Sequence, residues 1–346
     1  MPLVSVVMAA YNAERFIEES CLSALRQTYA PLELIVVDDG STDATGSIVG
    51  ALAASDVRVT LIRQQNLGVA AARNRAIEAA AGEFIAPLDA DDLWHPAKIE
   101  RQVQRMQEYG PETGLVYCWW AWLDETGKAV DRSPRWRVEG RVLQRLVEVN
   151  FIGNASIPMY RRSFVQQHGG YSAKLREQGG QGCEDWDLTL RIAERHALAV
   201  VPAVLMGYRL RVDSMSAKCD TMWRSQAMVL AALAARQPSI PPAVFRRAGG
   251  QFALYLAGVS FWSRHYLQAC RWALRVRPLG LVLAILPHVA KIFARRLLRD
   301  GLPAARAAGN DRFDESALPE PLIPYDRIYA RRWRGQSRAD AQGTPS

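Results

Sequence analysis

Along the first quarter of the chain, apolar residues come in short, mostly continuous runs. A polar break follows each run, and then apolar residues recur three or four apart. The runs are Val4–Ala9, Leu32–Val37, Val57–Ile62 and Phe84–Leu88. Runs of this length predict strands buried on both faces, although Pro87 weakens the last one. The spacing of Phe16, Ile17, Cys21, Leu22 and Leu25, and of Ile48, Val49 and Leu52, predicts helices between them. Gly68 opens a further, Ala-rich helix over Val69–Ala81, with Gly82 in the position of a C-cap. Strand and helix in alternation predict a doubly wound α/β fold, a mainly parallel sheet flanked by helices.

The pattern then loosens. A helix near Ala97–Tyr109 precedes Leu115–Leu123, a strand dense in tryptophan whose rings suit either core packing or a sugar platform. Asp124–Arg137 reads as a polar loop, Arg141–Val149 and Arg162–His168 as helices, and Gly169–Cys183 as a glycine-rich loop able to move. A helix starts at Glu184, and Ala197–Tyr208 returns as a strand. From about Asp220 the periodicity is helical throughout, over Met228–Ala235, Phe245–Trp262, Tyr266–Val276 and Leu279–Leu298. This divides the chain into an α/β part (1–220), a small all-helical C-terminal region (221–300) and a loosely ordered tail (301–346).

Charge sharpens that division. The net charge is +8, but residues 1–220 hold 24 Lys/Arg against 28 Asp/Glu, whereas residues 221–346 hold 19 against 7. The basic residues of Leu279–Leu298 accompany Leu, Ile and Phe at helical spacing. That composition fits an anionic membrane surface, or equally a core helix with a solvated basic end. Nothing resembles a nucleic-acid recognition motif. Uncharged stretches in the C-terminal third, such as Pro278–Ala290, fall short of the ~20 residues a bilayer requires. The N-terminus reads directly as a strand and not as a signal peptide. Five cysteines without C-x-x-C spacing, and five histidines without a ligand pattern, point to a reducing compartment and no zinc. The expected location is the cytoplasm, with the inner face of the plasma membrane as the surface the basic helices would meet.

The chemistry is carried by acids. In open α/β sheets ligands bind beyond the carboxyl ends of the strands. That rule places Tyr11, Asp39, Asp89, Asp91 and Asp92 on one edge. Adjacent carboxylates at the end of a buried strand repel one another, which a divalent Mg²⁺ or Mn²⁺ would relieve. A solvated acidic turn capping the next helix is the simpler alternative. Farther on, Glu184-Asp185-Trp186-Asp187 opens a helix after the glycine-rich loop. The acids there suit the helix dipole, or a general base over which that loop closes, with Trp186 able to stack on a sugar ring. No G-x-G-x-x-G follows the first strand and no P-loop occurs.

Taken in order, VSVVMAAYN, ELIVVDDGSTD, NLGVAAARNRAI, GEFIAPLDADD and CEDWDLTLRIA resemble the family 2 glycosyltransferases of the GT-A fold, over about residues 3–216. These are inverting enzymes that use nucleotide sugars. The resemblance implies a Rossmann-like GT-A domain with the nucleotide sugar held by Ala9, Tyr11, Asp39, Arg73, Asp89 and Asp91. Asp39 would meet the nucleobase, Arg73 the phosphate and Asp89 the ribose. Asp91 would hold Mg²⁺ or Mn²⁺, and Asp92 could share in that cluster. Asp185 would be the general base, helped by Glu184, with Asn154 and Trp186 on the acceptor side. The implied partners are a nucleotide-sugar donor, most simply a UDP-sugar, and a cell-surface glycan or lipid-linked acceptor. Two features depart from the family. Tyr208-Arg209-Leu210-Arg211 has arginine where many relatives have histidine, and Gln268–Trp272 matches the Q-x-x-R-W of polymer synthases without their membrane helices. A sugar nucleotidyltransferase and a catalytically idle donor-binding scaffold are the competing readings. The first lacks its glycine-rich phosphate loop at Ala9–Asn12, and the second would have no need of Asp39, Asp91 and Asp185 together.

Overall fold

The computed structural model describes residues 1–211, 214–215, 218–263 and 265–276. At its centre stands β1 (Val4–Ala10), whose VSVVMAA sequence leaves almost no polar side chain to solvate. It pairs in parallel with β2 (Leu32–Asp38) on one side and β4 (Phe84–Pro87) on the other, and β2 pairs in parallel with β3 (Val59–Arg63). The crossovers are α1 (Ile17–Leu25), α2 (Thr45–Ser55) and α3 (Val69–Ala79). Pro87 is tolerated because it is the last residue of β4, and Leu88 N–H makes the next bond, to the Val7 carbonyl (3.0 Å).

Beyond β4 the sheet becomes mixed. β8 (Met159–Arg161) runs antiparallel between β4 and β6 (Thr113–Leu123), and β9 (Ala197–Arg209) lies parallel to β6. The strand order is β3-β2-β1-β4-β8-β6-β9-β5, with β5 (Leu93–Trp94) antiparallel to β9 and β7 (Ala129–Arg132) antiparallel to β6. The mainly parallel expectation therefore holds for the first half only. β6 and β7 are joined by a tight turn in which Asp124 accepts from Thr126 and Lys128 N–H and Gly127 takes φ +82°, and such a hairpin can only be antiparallel. β5 and β7 are too short to carry a period. The remaining helices before the C-terminal region are α4 (Lys98–Tyr109), α5 (Leu143–Glu148), α6 (Arg162–Gln167), α7 (Lys174–Glu177), inside the expected glycine-rich loop, and α8 (Glu184–Ala193).

Three C-terminal helices, α9 (Cys219–Arg236), α10 (Pro242–Trp262) and α11 (Tyr266–Ala273), share the core of the α/β part. The Phe252 ring lies parallel to Trp186 at 6.5 Å, Arg247 donates to Glu148 at 2.7 Å, and Arg236 pairs with Glu194 at 2.8 Å. α10 thus packs directly behind α5 and α8. Trp272 is fully buried beside Trp223, and Arg271 pairs with Asp220, so the Gln268–Trp272 segment builds a helical hairpin. Among the described residues no helix is long and apolar enough to cross a membrane. The expected helix Leu279–Leu298 and the tail 301–346 lie outside the described residues.

Candidate active site

The carboxyl ends of β1, β2 and β4 supply the first half of the site. Tyr11 follows β1 and is half exposed. The next residue, Asn12, takes φ +47° and accepts from Thr42 N–H at 2.9 Å, which ties the first two strand ends together. Asp39 follows β2, is 3% exposed, and accepts from Gln64 Nε2, Leu67 N–H and Gly68 N–H, each at 2.8 Å. Gly68 has φ +94° at the start of α3, a conformation that costs a side chain energy, and it turns its N–H onto this carboxylate. A carboxylate has about four acceptor positions, so Asp39 keeps one after holding the loop.

The acid cluster is already partly neutralised by arginine. Arg73 is 6% exposed, donates to Asp89 and lies under the Tyr171 ring at 5.1 Å. Its partner here is a carboxylate, where the sequence suggested phosphate, because a buried guanidinium requires a nearby anion. Asp91 faces Arg211 at 3.2 Å, and its carbonyl accepts from Arg209 Nε at 2.9 Å. Burial and neighbouring Asp89 push the Asp91 carboxyl above the usual range, and Arg211 opposes that. Asp92 is fully buried and accepts from Ser156 Oγ (2.6 Å), Asn154 Nδ2 (2.7 Å) and Arg209 N–H (3.0 Å). It acts as a strut joining three segments, and it occupies the Asn154 amide that the sequence assigned to the acceptor.

The second half comes from the N-terminus of α8. Glu184 is 3% exposed and accepts from Gly182 N–H at 2.8 Å, so it holds the end of the glycine-rich loop. Asp185 accepts from Trp186 N–H at 2.8 Å. Burial pushes its carboxyl up to about 7. Glu184 and Asp89 act in the same direction, while Arg73 and that N–H oppose it. Trp186 is 5% exposed, donates its indole N–H to the Leu146 carbonyl at 3.3 Å and rests on Phe252, so its ring packs α8 against α5 and α10 at the edge of the cavity. The loop before α8 is pinned to the first half of the site: Asn74 and Tyr171 exchange two hydrogen bonds of 2.8 Å, and Arg176 donates to Asn66 at 2.9 Å, covering Gly68.

These parts enclose one cavity of about 1720 Å³. Ala9, Tyr11, Asp39, Arg73, Asp89 and Asp91 line it on the strand-end side, and Asn154, Glu184, Asp185 and Trp186 line it on the other. Sequence reasoning missed Ser156, Tyr171 and Arg209 as supports. Only Arg209, in the Tyr-Arg pair closing β9, left a readable trace. Among the described residues no three His, Cys, Asp or Glu side chains converge as a ready-made metal cage. Asp92 is saturated and Asp89 is paired with the buried Arg73, which leaves Asp91, whose partner Arg211 is only partly buried and 3.2 Å away. One carboxylate completed by diphosphate oxygens and water is the way Mg²⁺ is commonly held, so the donor set fits such a cation.

The profile of glycosyl transferase family 2 matches residues 5–169. Residues 5–169 thus form a glycosyl transferase family 2 domain. Among curated proteins, the chain is 38% identical over 173 residues to EpsH of Bacillus subtilis (strain 168), named as a glycosyltransferase, covering 48% of this chain and 49% of that protein. It is 48% identical over 105 residues to the UDP-Glc:alpha-D-GlcNAc-diphosphoundecaprenol beta-1,3-glucosyltransferase WfgD of Escherichia coli, covering 30% of this chain and 41% of WfgD. The chain thus spans about half the length, or less, of these relatives. Two solved structures share the fold. The mannosyltransferase PcManGT from Pyrobaculum calidifontis, in complex with GDP-Man and Mn²⁺, has TM-score 0.55 and 23% identity, covering 86% of this chain and 80% of that one. S. aureus TarS 1-349 in complex with UDP-GlcNAc has TM-score 0.54 and 17% identity, covering 78% and 88%. The GT-A expectation agrees with both. The family match ends before Glu184 and Asp185, which rest on the geometry above.

Proposed function

We propose that this chain is an inverting glycosyltransferase. It would move one sugar from a nucleotide sugar, most simply a UDP-sugar, to a hydroxyl of a cell-surface glycan or lipid-linked acceptor. The observation that carries the reading is Asp185, a carboxyl held at about 7 in the same cavity as Asp39, Asp89 and Asp91. A carboxylate poised near neutral pH is suited to take a proton from a sugar hydroxyl. The acceptor oxygen forms its bond to the anomeric carbon while the bond from that carbon to the diphosphate oxygen breaks. The proton passes to Asp185 and the nucleoside diphosphate leaves with the electron pair. One displacement from the opposite face inverts the anomeric centre.

Asp39 supports the donor by fixing the Gln64–Gly68 loop and by offering its remaining acceptor position to an imide N–H of the base. Asp91 would hold Mg²⁺ or Mn²⁺, which when bound stabilises the charge developing on the leaving diphosphate. Glu184 acts on the base indirectly: it anchors the loop and, as a second anion, raises the Asp185 carboxyl. Work at the cytoplasmic membrane face fits the excess of Lys/Arg over Asp/Glu in residues 221–346.

The deciding experiment pairs donor turnover with binding. Asp185→Asn should abolish sugar transfer from UDP-sugars while UDP binding, read by calorimetry, is retained. Undiminished turnover would remove Asp185 as the base, and absence of UDP binding in the unmodified protein would remove the donor assignment.

A further inference from the structure

The cavity is larger than one ligand needs. Pockets that bury a single small molecule run to about 300–1,000 Å³, and this one measures about 1720 Å³. Past Asp185 its wall continues through Met222 and Phe252 to Tyr255 and Val259 on α10 and Ala269 and Ala273 on α11. None of the residues that α10 and α11 contribute carries a charge. Gln251, Tyr255 and Tyr266 are the polar side chains among them and most of the others are apolar, a lining that suits a hydrocarbon chain better than a sugar with a hydroxyl on almost every carbon.

The outer side of the same wall points to where such a chain comes from. Leu267 on α11 and Leu274 at its C-cap are 90% and 77% exposed and lie seven residues apart, on one face of the helix. Tyr266, 49% exposed, precedes them, and Arg271 and Arg275 flank them. Exposed leucines among arginines suit the boundary between lipid headgroups and acyl chains.

We propose that the apolar arm between α10 and α11 takes the hydrocarbon chain of a lipid-anchored acceptor, with α11 seated on the membrane that holds the lipid. The inference rests on the reading of Asp185 as the base at the acceptor hydroxyl, and it fixes the acceptor as a lipid-carried one. The sugar end reaches Asp185 and the chain leaves along Phe252 and Val259 toward the membrane.

Gly258 supplies the test. It lines the arm on α10, and no atom lies within 4 Å of the place its Cβ would take, so a larger side chain fills the arm without disturbing the helix. Gly249, on the same helix, has equal room but does not line the cavity. The probe is farnesyl diphosphate, titrated by calorimetry into the full chain saturated with UDP and Mn²⁺, so that the donor's diphosphate position is already filled. The expected result is saturable binding that Gly258→Leu weakens about tenfold or more, and that Gly249→Leu leaves unchanged. No binding with UDP in place, equal binding by both variants, or displacement by inorganic diphosphate alone would each overturn the proposal. If UDP itself fails to bind in the preceding titration, the donor reading falls instead, which keeps the two failures apart.

Discussion

The guanidinium of Arg211 lies 3.2 Å from the carboxylate of Asp91, the acid of the cluster proposed to hold a divalent cation. Arg211 and a metal ion therefore compete for the same oxygen atoms, and in metal-free protein the arginine offers a positive charge to a diphosphate. Arg211→Met should tighten Mn²⁺ binding to the nucleotide-free protein about three- to tenfold, the scale of a partly exposed ion pair, and weaken UDP binding in EDTA. Calorimetry with each ligand separately checks both directions.

Asp185 sets a pH dependence. Its carboxyl is raised to about 7, and only the ionised form can accept a proton. Transfer under saturating substrates should rise about tenfold per unit as pH climbs toward 7 and level off above it. The positive charge of Arg73 opposes the upward shift, so removing it in Arg73→Met moves the inflection to higher pH. A pH-rate profile that is flat through this range would contradict the assignment.

Asp39 has three donors from one loop, so its loss is felt at the nucleotide through the loop as well as directly. Asp39→Ala should weaken UDP binding by about tenfold or more, with melting temperature falling only slightly because the loop lies at the surface. Calorimetry and a thermal melt separate the two effects.

Asp92 is a different case. It is fully buried with three donors aimed at it, and truncation leaves Ser156, Asn154 and the Arg209 N–H without their acceptor. Asp92→Ala should cost about 2–4 kcal/mol in urea unfolding, the scale of several orphaned buried donors. Asp92→Asn, which keeps an acceptor and the shape, should cost less.

The halves of the fold differ in how much the sequence disclosed. β1 and β2 were readable because a strand buried on both faces must be apolar throughout, and the polar residue that ends it must sit at the ligand edge. Asp39 and Asp185 followed from that rule and from the helix that Glu184 opens. The pairings inside the site were not readable. Arg73 and Asp89 are sixteen residues apart on different elements, and Arg209 reaches both the Asp91 carbonyl and Glu19, contacts that no local spacing encodes. The packing of Trp186 was unreadable for a related reason: Phe252, which stacks on it, lies on α10, more than sixty residues later.

That covering makes the catalytic portion inseparable from the helices behind it. Glu148 is gripped by Arg247 and Trp186 leans on Phe252, so the backbone that aims Asp185 is braced from the far end of the chain. An excised fragment ending at β9 would expose Trp186 and strand the Glu148 charge, and Asp185 would lose its aim. Whatever the C-terminal helices grip is thereby mechanically joined to the Asp185 carboxyl.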